Sequence, residues 1–188
     1  MTRQLIEFEN GAPPDPRQLR NALGRFSTGV TVITTRSPEG KLEGMTANSF
    51  SAVSLDPPLI LWSIRNEAPS IKAFLDSRVF SINILTQEQS NLSHHFATPK
   101  EDKFGDLEFT EGHGGCPLLK DTLAHFECDL EQTVSAGDHQ IMIGRVVRAS
   151  YEDASSPLLF SGGRYAIAAP LPNIDATADL ATVWDGLG

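Results

Sequence analysis

Cysteine is scarce in this chain of 188 residues: Cys116 and Cys128 are the only two. They form neither a C-x-x-C pair nor a disulfide framework, so the sequence carries no redox motif and no stapled scaffold. Positive charge is scarce too, with 15 Lys and Arg against 24 Asp and Glu and a formal net charge of −9. A nucleic-acid backbone or an anionic membrane surface calls for a cationic footprint, and both partners are excluded on that ground. No apolar run approaches the roughly 20 residues of a transmembrane helix. Residues 1–10 lack the basic and apolar regions of a secretory signal, which makes a reducing cytoplasm the expected compartment. G-x-G-x-x-G, Walker A, H-E-x-x-H and G-x-S-x-G sequences are all missing. His113 stands three residues before Cys116, and His94 adjoins His95. Adjacent histidines rarely share one ion and no C-x-x-C completes a ligand set, so no metal is expected.

What the chain does have is strand. Composition is ordinary for a globular domain, and the length is enough for one full hydrophobic core. Residues 30–35 are β-branched at every position, and the turn at Ser37-Pro-Glu-Gly40 predicts a hairpin into residues 41–46. Residues 49–55 and 59–64 read as two more strands, separated by Asp56-Pro57-Pro58. Residues 79–85 read as another. From Ala124 to Glu131 apolar and polar residues alternate, the period of a half-buried strand. The turn at Ala136-Gly137-Asp138 leads into a strand over 141–149, with a bulge expected near Gly144. Helices are few. Asp15 and Pro16 make an N-cap and first turn for an amphipathic segment carrying Leu19, Ala22, Leu23 and Phe26. Residues 70–76 and 86–97 predict two more, the latter opened by a Thr86/Gln89 capping box. Many short strands without β-α-β alternation predict a mainly β fold, best drawn as a closed antiparallel barrel with helical decorations. Residues 1–16 read as an extension, 17–168 as the domain and 169–188 as a tail. Leu171, Ile174, Val183 and Trp184 of that tail are placed to cover a neighbouring molecule or to stay unfolded.

Four segments offer chemistry as well as packing. In Met45-Thr-Ala-Asn-Ser-Phe50, short side chains admit a flat ligand to the backbone while Thr46, Asn48 and Ser49 supply donors and acceptors. The same pattern also suits the polar face of an edge strand. In Ser63-Ile-Arg-Asn-Glu-Ala-Pro-Ser70, Ser70 at a helix start with Arg65 nearby suits an anion site or an ordinary N-cap. Lys100 and Lys103 in Pro99-Lys-Glu-Asp-Lys-Phe104 are local cations in an acidic chain, or simply solvated charges. Gly137-Asp-His139 is a hairpin turn that also suits aiming an imidazole at a pocket.

Taken in order, these segments resemble the short-chain flavin reductase family, the reductase components of two-component flavin monooxygenases. The resemblance begins at Leu19-Arg-Asn-Ala-Leu-Gly-Arg-Phe-Ser-Thr-Gly-Val-Thr-Val-Ile-Thr34 and continues through Gly44-Met-Thr-Ala-Asn-Ser-Phe50, Ser54-Leu-Asp-Pro-Pro58 and Phe80-Ser-Ile-Asn-Ile-Leu85. It then runs through Lys103-Phe104, Gly137-Asp-His139, Ile143-Gly144 and Pro157-Leu-Leu-Phe160 to Gly163-Arg-Tyr165. The resemblance implies an FMN-binding split β-barrel, an antiparallel Greek-key-like barrel, in a homodimer with flavin at the interface. It implies FMN or FAD as the flavin, NADH or NADPH as hydride donor, and a monooxygenase that receives the reduced flavin. By motif, Thr46, Ala47, Asn48 and Ser49 would lie along the isoalloxazine edge. Ser63, Asn66 and Ser70 would serve the ribityl chain and phosphate, with Lys103 as a further phosphate partner. His139 would flank the nicotinamide and Tyr165 would close the pocket. Glu67-Ala68-Pro69 intervenes before Ser70, and the acidic Glu67 departs from a phosphate site. Phe96 and Phe104 are the candidates for an aromatic wall, and Arg164 or Arg145 for a 2′-phosphate.

Hydride transfer between two flat cofactors needs stacking and donors near developing charge, not an acid–base dyad, which accounts for the missing constellation. Two alternatives share the fold: a flavin carrier or redox sensor without turnover, and an enzyme that retains its flavin as a prosthetic group.

Overall fold

The computed structural model describes residues 3–8, 11, 15–153 and 155–169, so all but the first residue of the expected tail lies outside them. Helix α1 (Pro16–Leu23) is capped by Asp15, whose carboxylate accepts from the Arg17 N–H at 2.8 Å. The two-residue β1 (Thr28–Gly29) follows, then the hairpin β2 (Thr31–Arg36) and β3 (Leu42–Ala47). A second hairpin joins β4 (Ser51–Leu55) to β5 (Pro58–Arg65). Helix α2 (Ile71–Ser77), strand β6 (Val79–Ile84) and helix α3 (Ser90–Ala97) come next. The expected capping box forms, but it opens a 3₁₀ turn at Gln87–Gln89 ahead of α3, so residues 86–97 are not one continuous helix. A short pair, β7 (Phe109–Glu111) and β8 (Pro117–Leu119), precedes the long hairpin β9 (Ala124–Ala136) and β10 (His139–Tyr151). Strands β11 (Leu158–Ser161) and β12 (Arg164–Ile167) end the described chain. Among the described residues no helix is long and apolar enough to cross a membrane.

Seven strands form one antiparallel sheet in the order β3-β2-β6-β9-β10-β5-β4, and β1-β11-β12 form another. The outermost strands, β3 and β4, are consecutive in the chain and joined only by Asn48, Ser49 and Phe50. A flat sheet would hold them six interstrand steps apart, about 29 Å. The connection from Ala47 to Ser51 reaches about 14 Å at most. The sheet therefore has to curl until its ends approach, yet β3 and β4 do not pair. The barrel is split along this seam, which corrects the expectation of full closure. The free edge of β3 stays unpaired, with α3 docked on its outer face through Thr46 and Lys103 taking the Gly44 carbonyl.

Two cores sit on the two faces of β2. Ile33 packs with Ile60, Trp62, Phe74, Phe80 and Met142, while Val30 and Val32 pack with Leu85, Phe96, Phe104 and Leu158. Burial on both faces suits a β-branched strand, and its threonines satisfy their hydroxyls locally. Thr31 donates to the Ala47 carbonyl at 2.8 Å and Thr34 to that of Pro117 at 2.6 Å. Both cysteines are buried free thiols, and burial pushes Cys128 up to about 12. The bulge expected near Gly144 is present, as the β9–β10 register shifts between Ile143 and Gly144. Here glycine answers to a close approach. A Cβ on Gly144 would lie 2.4 Å from Phe80 Cζ, and Phe80 is fully enclosed. Gly144→Ala is expected to cost about 1–3 kcal/mol by overpacking. Urea unfolding should show a lowered midpoint with unchanged slope.

Candidate functional site

The seam gathers the predicted residues because each one there takes a different neighbour. Ala47 still pairs with Thr31 of β2. Two residues on, Ser49 stands opposite Ser63 of β5, its hydroxyl accepting the Ser63 N–H at 2.9 Å and donating to the Ser63 carbonyl at 3.3 Å. That hydroxyl substitutes for a ladder bond and carries the β4–β5 register one step beyond the strand. Between them, Asn48 sends Nδ2 to the Thr28 hydroxyl of β1 at 3.2 Å. Thr46 donates to the Ser93 carbonyl of α3 at 2.5 Å, which docks the helix on the outer face of β3. Gly44 permits that docking, since a Cβ there would fall 2.6 Å from the Phe96 ring.

Two adjoining cavities follow the free edge of β3. The narrower, about 200 Å³, is walled by Val30, Thr46, Ala47, Asn48, Phe160 and Tyr165, with Ser93 and Ala97 of α3. Tyr165 hydrogen-bonds Ser93 at 2.8 Å and meets the Phe160 ring edge-on. Beyond Thr46 and Ala97 the groove widens to about 540 Å³, with Glu43 and Met45 on one wall, Ala68, Pro69 and Ser70 on another, and Lys100, Glu101 and Lys103 on a third. Ser70 occupies the position before α2 but makes no capping bond, because its own backbone is already helical. Its buried side chain lines the cavity instead.

Lys103 is aimed by its neighbours. Asp102 accepts from the N–H groups of Phe104 at 2.8 Å and Gly105 at 3.1 Å, which turns the chain around it. The Lys103 ammonium then donates to the carbonyls of Phe96 at 2.8 Å and Gly44 at 3.1 Å. A third N–H is left over for the cavity. Burial holds this ammonium below the ordinary lysine range, with the nearby Glu43 carboxylate offsetting only part of the effect.

The structure leaves other predicted residues off both walls. Ser49 and Ser63 hold the seam as described. Asn66 uses its whole amide on the β9–β10 hairpin, donating to the Gly137 carbonyl at 3.2 Å and accepting from Gln140 at 3.0 Å. His139 sits at the hairpin end, its Nδ1 bonded to Asp138 at 2.7 Å, and lines neither cavity of its own chain. At the start of α2, which has seven residues, Arg65 lies beside Glu67 at 3.8 Å and off both cavities, so of that segment's anion candidates only Ser70 faces the groove. Arg145 is held bidentately by Glu131 at 2.8 and 3.0 Å and is not available to a 2′-phosphate. Phe104 belongs to the core; Phe96, its ring 5.2 Å away, is buried too but also lines the wider cavity, and the aromatic wall of the narrow cavity is Phe160 with Tyr165.

Ser93 and Ala97 were missed. Their i, i+4 spacing on a predicted helix is the signal that two small residues face one way. A further cavity of about 600 Å³ lies between Leu107 and Glu152, away from the seam. Its walls carry Glu108, Asp121 and Glu152, while its one lysine, Lys120, is already paired with Glu108. Three carboxylates against one paired lysine disfavour a phosphate there more than Glu43 and Glu101 against Lys100 and Lys103 do in the groove along β3, which is the candidate site.

Comparison with known proteins places the chain in a family. Residues 23–169 match the Flavin reductase like domain, and the chain belongs to that family. It is 46% identical over 149 residues to the FMN reductase (NADH) SmoA of Agrobacterium fabrum, covering 79% of this chain and 84% of SmoA. It is also 46% identical over 130 residues to the reductase component of the flavin-dependent trigonelline monooxygenase of Acinetobacter baylyi. That match covers 69% of this chain but only 42% of the relative's length. Among solved structures, the NADH:FAD oxidoreductase SgcE6 of Streptomyces globisporus, in complex with NAD and FAD fragments, superposes with a TM-score of 0.81 at 35% identity. The match covers 92% of this chain and all of that one.

A phosphate held by Lys103 requires the protonated ammonium. Because burial lowers the pKa of Lys103, FMN affinity should weaken as pH rises through a range where exposed lysines are still charged. Riboflavin, which lacks the phosphate, should not follow, and Lys103→Gln should flatten the FMN profile; flavin-fluorescence titration from pH 6 to 10 checks this.

Proposed function

We propose that this protein is the reductase of a two-component flavin monooxygenase, moving hydride from NADH to FMN or FAD and releasing the reduced flavin to a separate oxygenase. One observation carries the proposal: a small-residue cavity at the split edge opens directly into one lined by Ser70 and by two lysines that, among the described residues, have no carboxylate within 4.0 Å, although Glu43 and Glu101 share its walls. The residues fit a flavin, with Val30, Ala47, Phe160 and Tyr165 for the ring and Ser70, Lys100 and Lys103 for a phosphate. The names of the relatives, reductases of FMN or FAD that use NADH, support the same assignment.

A bound flavin supplies the electron chemistry, accepting hydride at N5 from the nicotinamide. The chain orients it. Ala47 leaves room for a ring to lie against the backbone of β3, and N–H groups over residues 46–49 donate toward the ring edge where negative charge grows on reduction. No salt bridge or deep enclosure fixes the ring, which suits a flavin that must leave.

The site is completed by a second copy. The narrow cavity, about 200 Å³, holds only part of a flavin and runs on into the wider one, and a second copy would wall its solvent side. Beside it the chain leaves apolar groups in water: Phe26 is 79% exposed, Leu23 and Ile167 both 66%. Helix α1 buries none of its residues despite its amphipathic pattern. A two-fold contact over this patch covers α1 and brings two copies of the cavity edge together. His139 serves as a positioning residue for the nicotinamide.

Purified protein should oxidise NADH with a rate that saturates in added FMN or FAD and vanishes after dialysis without flavin. Activity retained after dialysis would mean a prosthetic flavin, and tight binding without turnover would leave a carrier. Phe26→Asp should convert a dimer to monomers in analytical ultracentrifugation and lose most flavin turnover. His139→Ala should raise the NADH KM several-fold with a smaller change in kcat. Equal values in both would remove His139 from the site.

A further inference from the structure

We infer that Tyr165 is a gate on the narrow cavity: in the flavin-free protein its hydroxyl latches onto Ser93, and a flavin ring enters by displacing Tyr165 and taking over the Ser93 hydroxyl. The inference rests on the flavin reductase reading and gives it a cause for weak, exchangeable binding.

The two partners of the latch differ in what they can reach. Both wall the narrow cavity, and the Tyr165 hydroxyl donates to Ser93 Oγ at 2.8 Å. Ser93 is 0% exposed, whereas Tyr165 is 41% exposed. A phenol that turns outward exchanges its bond to serine for one to water at small net cost. The serine cannot do the same. A buried hydroxyl without a partner is costly, so it has to be met by whatever fills the space the phenol vacates. An isoalloxazine presents ring nitrogens and carbonyl oxygens that accept hydrogen bonds, and a serine hydroxyl donates to either.

Nothing else in the described structure calls for that hydroxyl. Helix α3 is docked through the Ser93 backbone, whose carbonyl accepts from Thr46 at 2.5 Å without help from the side chain. One turn further on, Ala97 forms the same wall with no polar group. Alanine is also the better residue for a helix interior, where serine is mildly unfavourable. Among the described residues Tyr165 is the only hydrogen-bond partner of the Ser93 side chain. The remaining polar residues of the cavity are engaged elsewhere: Thr46 has given its proton to the Ser93 carbonyl, and Asn48 reaches Thr28.

The phenol can move although its strand is fixed. Tyr165 of β12 pairs with Phe160 of β11, and β11 is held on its other side by β1. The turn between β11 and β12 is tied as well, the Gly162 N–H donating to the Gly24 carbonyl at 2.8 Å. Opening therefore needs only rotation of one rim side chain, whose single polar tie is Ser93. Latched, the phenol bounds a cavity of about 200 Å³; turned outward, it lets that cavity widen on the side of Ser93. The flavin gains a hydrogen bond to Ser93 only by breaking another, so this contact orients the ring while adding little net affinity.

The test is fluorescence titration of flavin-free protein with riboflavin and with FMN, together with stopped-flow measurement of their release. Tyr165→Phe keeps the ring and removes the latch. It should tighten both flavins roughly fivefold, about the equivalent of one neutral hydrogen bond, and slow their release to match. The same substitution made on top of Ser93→Ala should alter neither affinity, because the contested hydroxyl is gone. Ser93→Ala leaves the Thr46 bond to the backbone in place, so α3 stays docked in both backgrounds. Unchanged or weakened binding in Tyr165→Phe would overturn the gate, the second result by making the phenol a direct ligand of the flavin. An equal gain with and without the Ser93 hydroxyl would overturn it too, since Tyr165 would then act without Ser93. So would an effect on FMN alone, which would place the phenol at the phosphate end. Wild type that binds flavin yet fails to oxidise NADH would strike at the reductase reading, and the affinity changes would still decide the gate.

Discussion

Three residues hold the architecture together. Asn48, Ser49 and Phe50 connect the two outermost strands of a seven-stranded sheet, and their short reach compels the sheet to curl. The curl brings β3 near β4 without pairing them, and the unpaired edge becomes the wall of a groove. Sheet edges are usually a hazard because their free N–H and C=O groups invite other strands. Here the edge is covered in part by Lys103, which takes the Gly44 carbonyl, and by Thr46, which anchors α3. What remains open is a strip of backbone beside small side chains, a surface matched to a flat heterocycle with hydrogen-bonding edges.

Charge distribution turns that strip into a site of a particular kind. The molecule carries a net charge of −9, and among the described residues seven of its 15 lysines and arginines pair with a carboxylate, as in Arg145 with Glu131 or Lys120 with Glu108. In the groove two ammonium groups, one of them partly desolvated, stand without a carboxylate within 4.0 Å among the described residues, while Glu43 and Glu101 share its walls. An anion entering there gains more from Lys103 than it would from an exposed lysine, because water competes less effectively. The acidic remainder of the surface keeps the attraction confined to the groove.

Much of this was legible from residue order. The β-branched run at 30–35, the alternation after Ala124 and the turn at 136–138 located the central strands and the long hairpin, since these patterns report burial directly. The bulge at Gly144 was legible because glycine inside a strand marks a close approach. The segment 46–49 was legible because it is polar where a strand is ordinarily apolar, and the resemblance to flavin reductases gave it a meaning. Other features were not. That Ser49 and Asn66 support the seam and the hairpin depends on which strands become neighbours, and only the fold reveals it. Ser70 looked like a cap, and its backbone angles decide otherwise. Lys100 looked like a solvated charge, and its meaning comes from the ion pairs that the other lysines make.

The central claim is that ligand binds along the free edge of β3. Hydrogen–deuterium exchange with and without saturating FAD tests it most directly, because backbone amides report their own protection. Slowed exchange concentrated in residues 43–50, 68–70 and 93–103 is the predicted result. Slowing centred on residues 107–121, at the acidic cavity, with residues 43–50 unchanged, would contradict the account.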